Sequence, residues 1–321
     1  MLLICRNNPN SHAMLRQVVQ ENGESRPIIN KFFNKIFIVK CSGNSKLVLC
    51  DDPFAMLYAI FFYNKKNTHL RLWVLEIWQY QVHLKGIKAW LRYFAFTTAS
   101  YLCFKISDSI LFSSRTRRDF ICTKYSRLGL ESKSRIVLNI PEFFQARPFN
   151  DDELIQKFSK FKSTYKKLLI YAGSLQEGRL ISNLIRAKHR FQNIGLIICG
   201  DGPLESYISS SQKTDRSILF LGNLNRSTLS YVYGECDFGV LSYDNELLNT
   251  RLCAPLKIWE YLHHDLIILG NNNLALMGEW SEYIDCFYEN ESDIFAIIEE
   301  GVEKKLKKRI PVFDREKVIG M

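Results

Sequence analysis

A strand-then-helix alternation that runs, pauses and starts again most limits how this 321-residue chain can fold. Short apolar runs of strand type at 1–5, 35–40, 46–50, 70–75, 109–112 and 135–138 are parted by helix-length segments at 9–23, 54–63, 86–105 and 116–125. Residues 145–150, which include Pro148, interrupt the rhythm before a charged helix at 151–161. Beyond them, strands at 167–172, 195–199, 217–221, 238–241 and 266–269 alternate with helices at 178–191, 203–210, 227–233 and one beginning at Pro255; helical segments near 274–279 and 293–308 follow. Strands separated by helices pair in parallel, with helices on both faces of the sheet. The expectation is α/β, two doubly wound domains over residues 1–145 and 146–321, and the chain is long enough for two cores.

Charge divides along the same line. Residues 1–150 hold 22 Lys and Arg against 9 Asp and Glu, and residues 151–321 hold 21 against 24, so the net charge of +10 arises in the first half. That half is expected to meet an anionic partner: nucleic acid, an anionic membrane leaflet or a phosphate-bearing acceptor. No nucleic-acid-binding motif accompanies the charge, so nucleic acid is not the expected partner. The nine Cys show no CxxC or Cys/His ligand spacing, and His263-His264 has no partner motif. Reduced thiols, no metal and a cytoplasmic location are therefore expected, and residues 1–5 are too short an apolar run for a signal sequence.

The densest pattern is 251–270, RLCAPLKIWEYLHHDLIILG. Pro255 fits the first helical position, where a missing N–H costs nothing. Lys257 and Glu260, three apart, then share one helix face, with Ile258, Trp259 and Leu262 on the buried one. A helix N-terminus there would favour an anion such as a phosphate. A surface helix with a solvated Lys–Glu pair is the plainer alternative. Three upstream turns lie at expected strand ends, Gly173 and Ser174 in YAGSLQEGR (171–179), which ends at Arg179, CGDGP (199–203), and FLGN (220–223), with Gly222; a fourth segment, 229–238, carries Leu229, Val232 and Tyr233 at helical, core-facing spacing.

In order and spacing these segments resemble the second domain of GT-B glycosyltransferases of the family-four-like group. The resemblance implies two Rossmann-like domains facing a cleft, and it implies roles. Gly173, Ser174, Gly222, Pro255 and Glu260 would bind a nucleotide-sugar donor, Glu260 on the ribose hydroxyls, while Arg179 and Lys257 would stabilise the leaving diphosphate. Three departures stand out: Ser174 and Glu177 occupy places usually basic, Asp265 one usually Gly, and Glu246 lies fourteen rather than seven residues before Glu260. Asn249, Thr250 and Arg251 are therefore the residues expected to reach the sugar or diphosphate, with Glu246 as the alternative. The nucleotide-sugar is a substrate, so no cofactor is expected.

By this resemblance the activity is retaining, metal-independent sugar transfer to a glycan or polyprenyl-linked acceptor in cell-surface polysaccharide synthesis. The basic half would hold that acceptor at an anionic membrane face, peripherally on the inner side of the cell membrane. Were the sugar inverted instead, a general base would be needed, and Glu76 and Asp51 at expected strand ends are its candidates; Asp52, before Pro53, reads as a helix cap. Helix 86–105 joins aromatic to basic residues, as an interfacial segment does, and is too short in its apolar run to span a bilayer. A buried core helix is the alternative, and the basic run 304–309 poses the same choice. The rival readings are an inactive GT-B partner subunit, a nucleotide-sugar epimerase and a nucleic-acid-binding protein.

Overall fold

Two sheets organise the computed structural model, which describes residues 2–4, 25–28, 36–39, 46–62, 68–80, 86–302 and 310–312. The expected helix at 9–23 and the basic run 304–309 lie outside the described residues. The chain forms two compact units, one of Met1–Glu142, Leu247–Ala254 and Pro311–Met321, the other of Phe143–Glu246 and Pro255–Ile310. The chain therefore leaves the second unit after Glu246 and re-enters it at Pro255.

The first unit carries strands β1 (Leu2–Ile4), β2 (Ser25–Ile28), β3 (Ile36–Val39), β4 (Lys46–Cys50), β5 (Thr68–Val74), β6 (Ser109–Phe112) and β7 (Ser134–Ile136), in sheet order β2-β3-β1-β4-β5-β6-β7. From β1 to β7 neighbours are parallel, whereas β3 runs antiparallel to both β1 and β2. Strand β2 was not expected from the sequence; its Pro27 cannot donate to a ladder, and the strand lies at the sheet edge, where that costs least. Helix α1 (Pro53–Phe62) opens on Asp52, whose Oδ1 accepts from the N–H groups of Phe54 (2.8 Å) and Ala55 (3.1 Å), the cap its place before Pro53 implied. Helices α2 (Gly86–Ile106) and α3 (Arg115–Lys124) follow. Val48, Leu72, Ile110, Phe112 and Phe104 form the core, and Leu252, from the returning segment, is buried in it.

In the second unit β8 (Lys167–Ala172), β9 (Ile194–Cys199), β10 (Ile218–Gly222), β11 (Phe238–Leu241), β12 (Ile267–Asn271) and β13 (Cys286–Tyr288) form an all-parallel sheet, order β10-β9-β8-β11-β12-β13. Every residue of β9 and β11 is buried, as strands covered on both faces require. Helix α4 (Asp152–Thr164) is capped by Asp151, and in α5 (Ile181–Lys188) the residues Ile181, Leu184, Ile185 and Lys188 face inward at helical spacing. Helices α6 (Glu205–Thr214) and α7 (Arg226–Gly234) complete the βα units before β11, and α8 (Leu248–Arg251) belongs to the first unit. Helix α9 (Lys257–His263), the short α10 (Leu274–Met277) and α11 (Glu291–Glu300) surround the last strands.

Candidate functional site

Strand order fixes where a ligand can enter the second unit. From β8 the chain winds outward through β9 and β10, then returns to β8's other side as β11, so the winding reverses between β8 and β11. At such a switch point the loops leaving neighbouring strands diverge and open a crevice at the carboxyl ends. The register sharpens the opening: β8 pairs with β9 along its whole length, but with β11 only at Leu169↔Phe238 and Ile170↔Gly239. Across this gap the Arg179 guanidinium stacks over the Tyr243 ring, 4.4 Å from its centroid, and the Asp244 N–H donates to the Gly178 carbonyl (3.0 Å). Tyr243 is itself clamped, its N–H donating to Asn271 Oδ1 (3.2 Å) and its carbonyl accepting from Asn271 Nδ2 (2.7 Å).

Beside this pair the loops after β8, β9 and β10 are knitted through their backbones. Gly173 N–H donates to Cys199 O (3.0 Å), Leu175 N–H to Asp201 O (2.8 Å), Leu204 N–H to Leu175 O (3.0 Å) and Gly200 N–H to Gly222 O (2.8 Å). Backbones this close leave no room for side chains. A Cβ on Gly200 would land on the Gly173 carbonyl oxygen, one on Gly202 would lie 2.5 Å from Leu175 O, and both glycines have positive φ. Tyr171 Oη donates to Ser174 O (2.9 Å) and closes the turn, while the exposed Ser174 keeps a backbone N–H that donates to nothing among the described residues. That N–H and the Arg179 guanidinium are donors of the kind phosphate oxygens accept.

Lys257 and Glu260 do share a face, and a third residue joins them. Lys257 Nζ donates to Glu260 Oε2 (2.5 Å) and to Tyr233 Oη (2.9 Å), and Tyr233 Oη donates to the same Glu260 oxygen (2.8 Å). Burial, then the neighbouring Glu260 carboxylate, raises the Tyr233 phenol well above its ordinary range, so it stays a donor. Glu260 Oε1 accepts no hydrogen bond among the described residues, and the pair is only partly buried, so this carboxylate oxygen can still receive ligand hydroxyls. The helix, however, starts at Lys257, two residues later than Pro255 suggested, and runs for seven residues. Pro255 thus precedes the helix, and a first-turn dipole site at Pro255 is not formed. On the inner face Tyr261, rather than Leu262, is fully buried; its ring fills the space where a Cβ on Gly239 would sit, 2.5 Å away.

Of the other sequence-derived residues, Glu246 ends the first stretch of the second unit and the rest fall in the first unit. The expected polar loop after β11 is helical at α8. Asn249 Oδ1 accepts from the Ile77 N–H (3.0 Å), Thr250 Oγ1 donates to Leu247 O (2.7 Å), and Arg251 is exposed. Glu76 lies just past β5, partly buried; Asp51 and Asp52 are buried past β4. Arg179, Ser174, Gly173, Gly222, Lys257, Glu260 and Pro255 are thus carried by the second unit, and Asn249, Thr250, Arg251 and Glu76 by the first. Among the described residues no three His, Cys, Asp or Glu side chains gather as a metal site would need.

Three residues that matter to this geometry carried no signal in the spacing. Tyr233 reads as core from its helical position, and Tyr243 as part of a polar loop. Arg117, in α3, is buried, and its guanidinium donates to the carbonyls of Leu75, Leu252 (2.7 Å) and Asn249 (3.5 Å), holding α8 and the loop after β5 together.

Neither a protein-family model nor a curated protein sequence matches the chain. Solved structures match it in shape. A mutant of S. aureus TarM in complex with Fondaparinux, alpha-GlcNAc-glycerol and UDP superposes with a TM-score of 0.53 at 13% identity, over 80% of this chain and 49% of TarM. Anabaena HepE in complex with UDP and glucose gives 0.55 at 13%, over 79% of this chain and 68% of HepE. The E. coli trehalose-6-phosphate structure bound with UDP-2-fluoro glucose gives 0.57 at 9%, over 80% and 65%. The chain spans about half the length of TarM. At these identities the likeness is one of fold, and the fold is GT-B: two Rossmann-like α/β units, each on a largely parallel sheet.

Proposed function

We propose that the protein is a glycosyltransferase that moves a sugar from a nucleotide-sugar donor to a glycan or polyprenyl-linked acceptor in cell-surface polysaccharide synthesis. The observation that carries this reading is the meeting of Arg179 and Tyr243 at the β8–β11 switch point, beside a glycine-bound ledge of backbone and the Lys257–Glu260–Tyr233 network. When the bond from the anomeric carbon to the diphosphate breaks, its electron pair leaves with the diphosphate. Arg179, fixed in orientation by the Tyr243 ring, and Lys257, fixed by Tyr233, would meet that developing charge without a metal. Ser174 N–H would bind a phosphate oxygen, and Glu260 Oε1 the ribose hydroxyls. The acceptor hydroxyl oxygen forms the new bond to the anomeric carbon, and its proton passes to the departing phosphate oxygen that holds the electron pair. We read the outcome as retention; inversion would need a base, for which Glu76 is the candidate. Asn249, Thr250 and Arg251 remain the candidates for reaching the sugar or diphosphate, Arg251 being the exposed one of the three. A lipid-linked acceptor would bring the basic first unit to the anionic inner face of the cell membrane.

The test is thermal-shift binding to a panel of UDP-, GDP-, ADP- and CMP-sugars, with wild type beside Arg179→Ala and Glu260→Gln. A rise in melting temperature specific to one nucleotide, reduced at least tenfold in apparent affinity by each substitution, is expected. No rise with any nucleotide in folded wild-type protein overturns the donor site and leaves an inactive GT-B partner subunit as the reading.

A further inference from the structure

Helix α2 breaks the usual rule for a helix lying on a sheet. Its inner face is formed by Phe96, Ala99, Ser100, Cys103 and Phe104, all buried. Its outer face should therefore be polar, yet Ile87 is 77% exposed, Leu91 64% and Phe94 58%, with Trp90, Tyr101 and Leu102 also exposed. Positions 87, 90/91 and 94 recur at three- and four-residue steps, and 101/102 lie two turns further on the same side, past the exposed Thr98, so they line one solvent-facing side of the helix. At 21 residues the helix is about 30 Å long, and the stripe follows most of it. Trp90 packs against Tyr93 and Phe94, which makes the N-terminal end a continuous aromatic surface.

Charge identifies the occupant. Helix α2 contains no acidic residue; Lys88 and Arg92 border the stripe on one side, Lys105 ends it, and all three are exposed. Across residues 1–150 basic side chains outnumber acidic ones 22 to 9. A second copy of the chain on this face would set Lys88 and Arg92 against like charges, because a two-fold contact pairs a patch with itself. An anionic bilayer surface instead offers both what the stripe and what its borders need: an acyl boundary for Ile87, Trp90, Leu91 and Phe94, and headgroup phosphates for the basic residues. No helix among the described residues is long and apolar enough to cross a membrane, so this contact would lie in the interface plane.

We propose that the outward face of α2 docks this protein on anionic lipid, lying parallel to the bilayer with its Ile87–Leu102 stripe at the acyl boundary. The docking deepens the membrane element of the proposed function, but its test involves no sugar transfer. Wild type and the double variant Leu91→Glu/Phe94→Glu are compared by flotation with vesicles of phosphatidylcholine alone and of phosphatidylcholine with phosphatidylglycerol. Both positions point to solvent, so folding should survive, and circular dichroism with melting checks that it does. Wild type is expected to float with the phosphatidylglycerol vesicles, at least tenfold less with phosphatidylcholine alone, and the folded double variant at least tenfold less with either. Lys88→Glu should weaken binding and flatten its salt dependence. Absence of wild-type binding, or undiminished binding of the double variant, overturns the proposal, as does a wild-type dimer in vesicle-free sedimentation that the double variant abolishes. Nucleotide thermal shifts should be the same in wild type and double variant, so the docking and the donor site can fail separately.

Discussion

The two units hold their strand ends in opposite ways. In the second, the loops after β8, β9 and β10 touch backbone to backbone, and the contacts exist because Gly200 and Gly202 leave the space for them. In the first, the loop after β5 and helix α8 are held by side chains: Asn249 Oδ1 accepts from the Ile77 N–H, and Arg117 reaches carbonyls 42, 132 and 135 residues away in sequence. Backbone-to-backbone contact demands glycine at fixed places in short loops, and so leaves a motif. A guanidinium reaching across the fold demands only that one Arg be buried, and leaves none.

The sharpest way to break this contrast is to give Gly200 a side chain. Gly200→Ala puts a methyl group onto the Gly173 carbonyl, which is backbone and cannot swing aside, at a φ of +141° that L-residues rarely adopt. The expected loss is about 4 kcal/mol or more, an exceptional cost for one methyl, read from urea unfolding. Gly234→Ala is the control, since its Cβ would meet only His264 Nδ1 at 4.0 Å; it should change stability by less than about 1 kcal/mol. Equal costs for the two would mean that the ledge yields, and that its glycines are not structural requirements.

The first unit is tested through Arg117. Arg117→Met keeps much of the volume but leaves three carbonyls without their donor, at an expected cost of about 2–3 kcal/mol. Hydrogen exchange should place the effect: the amides of Thr250, Arg251, Leu252 and Cys253, which close α8 onto Leu247, Leu248 and Thr250, should lose protection before those of β4 and β5. Arg117→Lys keeps the charge without the planar fork and should recover less than half of the loss. Uniform loss of protection across the unit would show that the guanidinium supports the whole core rather than α8.

The same contrast explains what could be read from the chain. The alternation of apolar runs and helices sufficed for two α/β units, because buried parallel strands such as IGLIIC at 194–199 need continuous apolar sequence. The turns at 171–179 and 199–203 were legible because their geometry is set by local backbone. Strand β2 was not, since a four-residue edge strand with a Pro has no periodicity to detect. Helix α8 looked like a loop because its helical spacing is a single turn; it forms where Leu248 and Leu252 pack on the first unit's core. Pro255 suggested a helix start, but Leu256 is the N-cap, its carbonyl accepting from Trp259 and Glu260, so the helix begins at Lys257. Asp265 shows a departure from the family pattern absorbed without a change of backbone: it holds the left-handed conformation, φ 63°, that glycine would take, and Asp is among the residues that tolerate it.

The smallest effect separates the units by pH. His264, behind the Lys257–Glu260 face, is held down to about 4 by burial and then by His263, against the opposing pull of Glu260. Ser230 Oγ donates to Phe144 O (2.9 Å), so its contact with His264 Nε2 (3.0 Å) is an N–H donated by the ring, a bond that either protonation state can make; burial is what favours the neutral ring. A folded pKa below the unfolded value means that the unfolded chain binds the proton first. Stability is therefore whole above about pH 6.5 and falls as pH drops through the window from 6.5 to 4. His69, in the first unit, is lowered in the same direction by burial and then by Arg71. Between pH 7 and pH 5 the melting temperature of the second unit should fall by about 2–4 °C, partial exposure of His264 limiting the effect. His264→Gln, which can still donate to Ser230 but cannot titrate, should remove most of that slope, while any acid sensitivity from His69 would appear in the first unit. An unchanged slope in His264→Gln would assign the acid sensitivity of the fold to the first unit, and the closed packing around Glu260 would then not extend to His264.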